Sequence, residues 1–195
     1  MRSFLVPLVA LLTACASSPP PPAAEPAPAA AAPKEAPAAA PAVEMAPAPF
    51  TSTQIRDASP TGRKIVFKVE EPDKPAVRRT VEFVKSDAAG ADTRSTTVDG
   101  SGKVLESNDH HATWDELRQH GEFPKGSVEV YHRTVSVPLG TLECTVYKVT
   151  GQGPDPEVTT FYFADKLPGP PVFFYVEKGG KRIRTSTMES SSGLK

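Results

Sequence analysis

Short runs of alternating apolar and polar residues make up most of the chain, separated by clusters of turn-forming residues. In the run from Lys64 to Val69, for example, Ile65, Phe67 and Val69 share one face. Alternation with a period of two is typical of half-buried β-strands. Runs of this kind predict further strands at residues 80–85, 93–98, 103–107, 128–137, 141–149, 158–164, 172–178 and 181–187. The pattern therefore predicts a mainly β domain, an antiparallel curved sheet or a sandwich of about eight or nine strands.

Turn residues indicate how the strands connect. The last two predicted strands are separated by Gly179-Gly180, a pair that favours a type I′ hairpin because both residues need a positive φ. Pro138-Leu139-Gly140 forms another short break, and a longer one follows at Leu167-Pro168-Gly169-Pro170-Pro171. The strands from Val128 onward are therefore expected to form a meander of adjacent antiparallel strands.

One short helix interrupts the strand pattern. Thr113-Trp114-Asp115-Glu116 matches a capping box, in which the Thr hydroxyl and the Glu carboxylate each accept a hydrogen bond from a free backbone N–H. Gly121 suits the end of a helix, so the helix is predicted over Trp114–His120. The indole of Trp114 is expected to pack on the sheet, with a carbohydrate-binding platform as the alternative.

Two of the predicted strands are aromatic on both faces. Residues 161–163 read Phe-Tyr-Phe and residues 173–175 read Phe-Phe-Tyr. A strand with one face in water alternates apolar and polar residues, so both faces here are expected to be at least partly covered. The cover is either ordinary core packing by the helix and an opposite sheet, or the wall of an apolar cavity.

The cavity hypothesis names a ligand site. Phe161 and Phe163 share one face of their strand, and Phe174 faces away from Phe173 and Tyr175 on its own strand. With Trp114, these three phenylalanines are the candidate ligand-binding residues. The helix and the loop at residues 167–171 would close such a cavity. Apolar pockets with few polar groups are the usual form of small-ligand sites, so the expected ligand is apolar, a lipid tail or a hydrophobic peptide.

The N-terminus has the pattern of an export signal. Met1-Arg2-Ser3 is positive, residues 4–12 are apolar apart from one proline, and Leu12-Thr13-Ala14-Cys15 follows. That tetrapeptide resembles the lipobox of bacterial lipoproteins. The resemblance implies a signal peptide at residues 1–14, lipidation of Cys15 and a membrane anchor, with an ordinary signal peptide as the alternative. If the source is Gram-negative, the residues after Cys15 resemble the default sorting pattern of lipoproteins, which implies a position at the outer membrane, facing the periplasm.

Proline and alanine dominate the segment after the cysteine. Eleven of the chain's 22 prolines lie between Pro19 and Pro49. The composition of residues 15–49 therefore predicts a lipidated N-terminus followed by a disordered linker. The linker would reach roughly 100 Å when extended. The composition becomes that of a globular protein at Phe50, so residues 50–195 are expected to form a single extracytoplasmic β-rich domain.

Charge and cysteine content exclude some partners. From Phe50 onward basic and acidic side chains are equal in number, with no basic patch, so nucleic acid is not an expected partner. If Cys15 carries lipid, Cys144 has no disulfide partner in the chain. It shares a strand face with Leu142 and Val146, which predicts a buried, unreactive thiol.

No motif assigns catalysis or a cofactor. A Gly-x-Ser-x-Gly elbow, a Walker loop and a Gly-x-Gly-x-x-Gly motif are all absent from the sequence, and no catalytic residue is named. His110, His111, Glu116 and His120 form the best metal-like group, but His110 and His111 are read as adjacent residues of a polar loop, pointing to opposite sides. A solvated surface is therefore preferred to a metal site.

The C-terminal layout carries a second resemblance. The segments Val137-Pro138-Leu139-Gly140-Thr141-Leu142-Glu143-Cys144 and Leu167-Pro168-Gly169-Pro170-Pro171-Val172, within residues 128–187, resemble periplasmic curved β-sheet domains of the lipoprotein-carrier (LolA-like) superfamily and exported families near it. The resemblance implies no catalytic residue. The expected function is a non-enzymatic, membrane-anchored lipoprotein that binds an apolar ligand or an envelope partner. The alternatives are an envelope scaffold without a small ligand and an extracytoplasmic hydrolase.

Overall fold

A computed structural model of the chain describes residues Val43 to Gly193. The expected signal peptide, Cys15 and most of the expected linker lie outside this range. Within it, no helix is both long and apolar enough to cross a bilayer.

The domain is one open antiparallel sheet of nine strands with two short α-helices, which confirms the predicted fold class. A single 3₁₀ turn at Lys125–Ser127 precedes the fifth strand. The elements in chain order are α1 (Ser52–Asp57), β1 (Lys64–Glu70), β2 (Val77–Ser86), β3 (Gly90–Val98), β4 (Val104–Thr113), α2 (Trp114–Gln119), β5 (Val128–Val137), β6 (Gly140–Thr150), β7 (Val158–Ala164), β8 (Phe173–Lys178) and β9 (Lys181–Ser192).

The sheet consists of two meanders, which are joined where β1 pairs with β9, the first and last strands of the chain. The strand order is β4-β3-β2-β1-β9-β8-β7-β6-β5. Strand β1 pairs with β9, placing Phe67 opposite Met188 and Val69 opposite Ser186. The predicted meander from Val128 onward is observed, and β1 to β4 form a second one.

Local signals placed several elements correctly. Gly179 and Gly180 have φ values of 54° and 73°, as the predicted type I′ hairpin requires. The capping box of α2 is also present: Thr113 Oγ1 accepts from the Glu116 amide at 3.2 Å, and the Glu116 carboxylate accepts from the Thr113 amide at 2.7 Å. Helix α2 ends at Gln119, with His120 as its C-cap.

Two features differ from the sequence prediction. Helix α1 was not predicted, although Thr51 and Gln54 form a second capping box and Ile55 is buried beneath it. The stretch containing His110 and His111 is the second half of β4 instead of a polar loop. Strand β4 lies at the edge of the sheet and is exposed along nearly its whole length, so it lacks the burial that produces an alternating pattern.

The packed part of the chain extends before Phe50, where the sequence placed the start of the domain. The Ala46 amide donates to Phe123 O at 2.8 Å, and the hydroxyl of Tyr147 donates to Pro47 O at 2.6 Å. Ala46 is buried. The end of the Pro/Ala-rich segment therefore belongs to the folded domain, because its carbonyl and amide groups bond to the domain.

Candidate functional site

An apolar cavity of the domain lies between one face of the sheet and a covering layer. Its volume is about 430 Å³, within the range of about 300–1,000 Å³ that is usual for small-ligand sites. The helix-covered face is the sheet surface on which Phe67, Phe161 and Phe174 lie, and the opposite surface is the outer face. The covering layer comes from α1, α2, residues 49–50 and residues 169–171.

Eight apolar side chains from both halves of the sheet form the wall. Strand β1 contributes three, β2 two, and β7 and β8 together three, namely Ile65, Phe67, Val69, Val81, Phe83, Phe161, Phe163 and Phe174. Phe161 pairs with Phe174 across β7 and β8, and their ring centroids are 5.6 Å apart. The wall is therefore continuous across β9, where Ser186 lies between the two groups.

The covering layer lies over part of the cavity and contributes mainly apolar side chains. It includes Leu117 of α2 and Pro170 and Pro171 of the loop between β7 and β8, the two elements that the cavity hypothesis names as the cover. Phe50 also lines the cavity and meets Phe163 edge-to-face with ring centroids 6.2 Å apart. The contributions of α1 and of Phe50 were not predicted, because no local pattern indicates which sheet face they cover.

Trp114 lies in a different place from the other three candidate residues. It is buried, but it does not line the cavity. Its indole Nε1 donates to Asp87 O at 2.9 Å, at the turn between β2 and β3. The indole therefore holds the start of α2 against this turn, which matches the packing interpretation of Trp114.

The outer face of the same strands carries its own aromatic cluster. The ring centroids of Tyr162 and Phe173 are 5.3 Å apart, and those of Phe173 and Tyr175 are 5.8 Å apart. Arg182 lies over the Tyr175 ring at 4.0 Å. Successive side chains therefore serve two separate layers, which is why these strands are aromatic on both faces.

Cys144 also lies on the outer face, and its thiol is free. It is 1% exposed beside the fully buried Val146. Burial, with a smaller contribution from Asp165, raises the pKa of the Cys144 thiol to about 11. The nucleophilic thiolate is therefore scarce at neutral pH. The predicted burial of the Cys144 side chain is confirmed.

A buried arginine supports the covering layer. Arg63 is fully buried, and its Nη1 donates to Ala58 O at 2.7 Å, to Ser59 Oγ at 3.1 Å and to Pro168 O at 3.2 Å. Burial lowers the pKa of Arg63 to about 10. One side chain thus connects the end of α1 to the loop that carries Pro170, and sequence reasoning did not find it.

The metal-like residues do not converge. His111 Nδ1 is 2.7 Å from Asp92 Oδ1, while His110 is the next residue on β4 and so projects from the opposite face. The Glu116 carboxylate is engaged in the capping box, and His120 lines the cavity alone. Over residues 43–193, no three His, Cys, Asp or Glu side chains are grouped as metal ligands.

Comparisons with known proteins identify a similar fold. No protein-family model matches the chain, and no curated protein matches it significantly. Two solved structures resemble it: the Pseudomonas aeruginosa MucA/MucB complex, at 12% identity, and a crystal structure of MucB in complex with MucA(peri), at 11%. Each has a TM-score of 0.50 and covers 72% of this chain. The match spans about half of those chains, 54% and 53% respectively, and the likeness is one of fold alone.

Proposed function

We propose that this chain is a non-enzymatic, membrane-anchored lipoprotein of the cell envelope whose β-domain binds an apolar ligand in the cavity under α1 and α2. The observation that carries the proposal is the wall formed by Phe161, Phe163 and Phe174 beneath a separate covering layer. A wall of phenyl rings and aliphatic side chains favours a hydrocarbon chain over a polar metabolite, because polar groups left without partners in such a site cost free energy.

The size of the cavity suits an acyl chain. Each methylene group moved from water into an apolar site contributes about 0.8 kcal/mol, which corresponds to roughly a fourfold gain in affinity. We therefore expect affinity to rise with chain length until the chain fills the space of about 430 Å³. A length at which the gain stops is the signature of a bounded cavity, and a non-specific surface has no such limit.

The binding test uses two neighbouring residues on opposite faces of β8. An environment-sensitive fatty-acid probe is titrated into the wild type, Phe174→Asp and Phe173→Asp. We expect saturable binding to be lost in Phe174→Asp, whose carboxylate enters the cavity, and retained in Phe173→Asp, whose side chain lies on the outer face. Phe161→Asp provides a second cavity variant.

Circular dichroism establishes that each variant is folded. If a folded Phe174→Asp protein binds the probe as tightly as the wild type, the cavity is not the binding site. Absence of saturable binding to the wild type would remove the ligand from the proposal and favour the scaffold alternative.

The anchor is proposed from Leu12-Thr13-Ala14-Cys15, which lies outside the described residues. Two or three acyl chains hold a protein stably at a bilayer, whereas one is marginal. Metabolic labelling with a fatty-acid analogue should mark the wild type and Cys144→Ala but not Cys15→Ser. Equal labelling of Cys15→Ser and the wild type would contradict lipidation at Cys15. For a Gram-negative source, the expected position is the outer membrane, facing the periplasm.

A protein partner in the envelope is the second candidate. It is supported by the two similar structures, which are complexes of MucB with MucA. Crosslinking in intact cells followed by mass spectrometry tests it. One dominant crosslinked protein, together with no apolar ligand on the purified chain, would favour the partner over the small ligand.

A further inference from the structure

The charged side chains that line the cavity are all of one sign. Arg79, Arg118 and Arg184 line it, and no aspartate or glutamate does. The whole chain has 22 basic and 23 acidic residues, so the bias is local to the cavity. A positive lining on an otherwise balanced protein favours a ligand that carries negative charge.

Two of these arginines are available to a ligand. Arg118 is engaged by Glu122, with Asp115 within 3.8 Å. In contrast, neither Arg79 nor Arg184 forms an ion pair with any residue in the range 43–193.

The charge of these two arginines is at most partly balanced by the neighbouring groups. Arg79 Nε donates to Ser95 Oγ, a neutral acceptor, at 2.8 Å. The carboxylate near Arg184 is that of Glu71, which is bound to Lys74 Nζ at 2.6 Å. Both arginines are exposed, so an incoming anion reaches them without displacing an internal partner.

These cations lie beside the apolar wall. Arg79 is paired with Phe67 across β1 and β2, and both side chains line the cavity. Arg184 is two residues from Ser186, which is paired with Phe174 and also lines the cavity. A bound molecule would therefore contact phenyl rings inside the cavity and guanidinium groups at the exposed part of its lining. An amphiphile with an anionic head group fits this arrangement.

We propose that the ligand is an amphiphile with an acyl or alkyl tail in the cavity and a carboxylate or phosphate head group bound by Arg79 and Arg184. This inference rests on the proposed apolar-ligand function and adds the class of head group. Guanidinium groups bind both carboxylate and phosphate oxygens through charge-assisted hydrogen bonds, so both head groups belong to the proposed class.

The test compares four twelve-carbon ligands that differ in the head group. Laurate, dodecyl phosphate, dodecanol and dodecyltrimethylammonium are each titrated into the full chain below their micelle concentrations. We expect laurate and dodecyl phosphate to bind about tenfold more tightly than dodecanol at low salt, and the cation to bind most weakly. The relative affinities of the two anions identify which head group is preferred.

Variants assign the effect to these arginines. In Arg79→Gln/Arg184→Gln we expect the anions to bind no more tightly than dodecanol, with dodecanol itself unaffected. Arg133→Gln is the matched control, because Arg133 is an exposed arginine on β5 that does not line the cavity. The anion preference should also shrink in 0.5 M salt, since screening at that concentration acts within about 5 Å.

The outcomes separate this inference from the proposed function. Equal affinity for dodecanol and laurate, unchanged in the double variant, would overturn the head-group assignment while leaving the cavity as an apolar site. Failure of all four ligands to bind would overturn both. Binding of an apolar peptide containing glutamate, with no binding of the four amphiphiles, would assign the cavity to a protein segment and overturn the lipid proposal.

Discussion

Replacing Arg63 with methionine tests whether one buried side chain holds the covering layer in place. Arg63 Nη1 bonds to Ala58 O and Ser59 Oγ after α1 and to Pro168 O in the loop beside the cavity. Arg63→Met keeps an unbranched side chain of similar length and removes these bonds, together with the longer one from Nη2 to Ser191 Oγ at 3.5 Å. It leaves two carbonyl groups and two hydroxyl groups without this partner.

The size of the effect follows from two opposing terms. The two hydrogens of Nη1 are shared among its three acceptors and Nη2 supplies one more, which amounts to about three hydrogen bonds. Hydrogen bonds from a charged donor contribute about 1.5–3 kcal/mol each, or roughly 5–9 kcal/mol for three. Burial lowers the pKa of Arg63 from 12.5 to about 10, which corresponds to a penalty of roughly 3 kcal/mol that methionine avoids. We therefore expect Arg63→Met to lower the free energy of unfolding by about 2–6 kcal/mol. A loss of about 3 kcal/mol would lower Tm by roughly 6–12 °C.

Urea unfolding and hydrogen exchange measure the two consequences. The Leu167 amide donates to Ala164 O at 3.0 Å and the Val172 amide donates to Tyr162 O at 2.9 Å, so their exchange reports on the loop between them. We expect both amides to exchange faster in Arg63→Met. The exposed Arg133→Met is the control and should change stability by less than about 0.5 kcal/mol. An Arg63→Met protein as stable as the wild type, with unchanged exchange, would refute the reasoning, because relief of the buried charge would then outweigh the bonds.

Three further predictions concern the ends and turns of the domain. A chain that starts at Phe50 should melt at a lower temperature than one that starts at Pro41, because it lacks the bonds from residues 44–47 to the domain; equal melting temperatures would show that these bonds add nothing. A thiol-reactive dye should label Cys144 slowly in the native protein and rapidly in denaturant, and fast native labelling would contradict its burial. Hydrogen bonds from Lys85 and from the Ala89 and Gly90 amides lower the pKa of Asp87 to about 2. Asp87→Asn should therefore destabilise the protein above about pH 4, and the difference should disappear as the pH falls toward 2. A difference at pH 2 as large as that at pH 7 would rule out this cause.

Local sequence patterns located most elements of the fold, although not α1. The period-two alternation located all nine strands to within three residues except at the ends of β4 and β9, and the Gly-Gly pair and the Thr113 capping box identified a hairpin and a helix. The same alternation placed Phe161 and Phe163 on one face of their strand and Phe174 opposite Phe173 and Tyr175 on its own, and in the structure the three line one cavity. These inferences succeeded because side-chain direction in a strand is set by the residue's own position in the pleat.

The tertiary structure alone decided which strands are neighbours and what covers them. The pairing of β1 with β9 brings Phe67 next to Met188 and so joins the wall from β1 to the wall from β7 and β8. The same arrangement buries Arg63 and places Arg79 and Arg184 in one lining, although they are far apart in sequence. A hydrophobic pattern specifies which face of a strand is buried but not which distant strand it pairs with, because pairing depends on non-local contacts that form only when the chain folds.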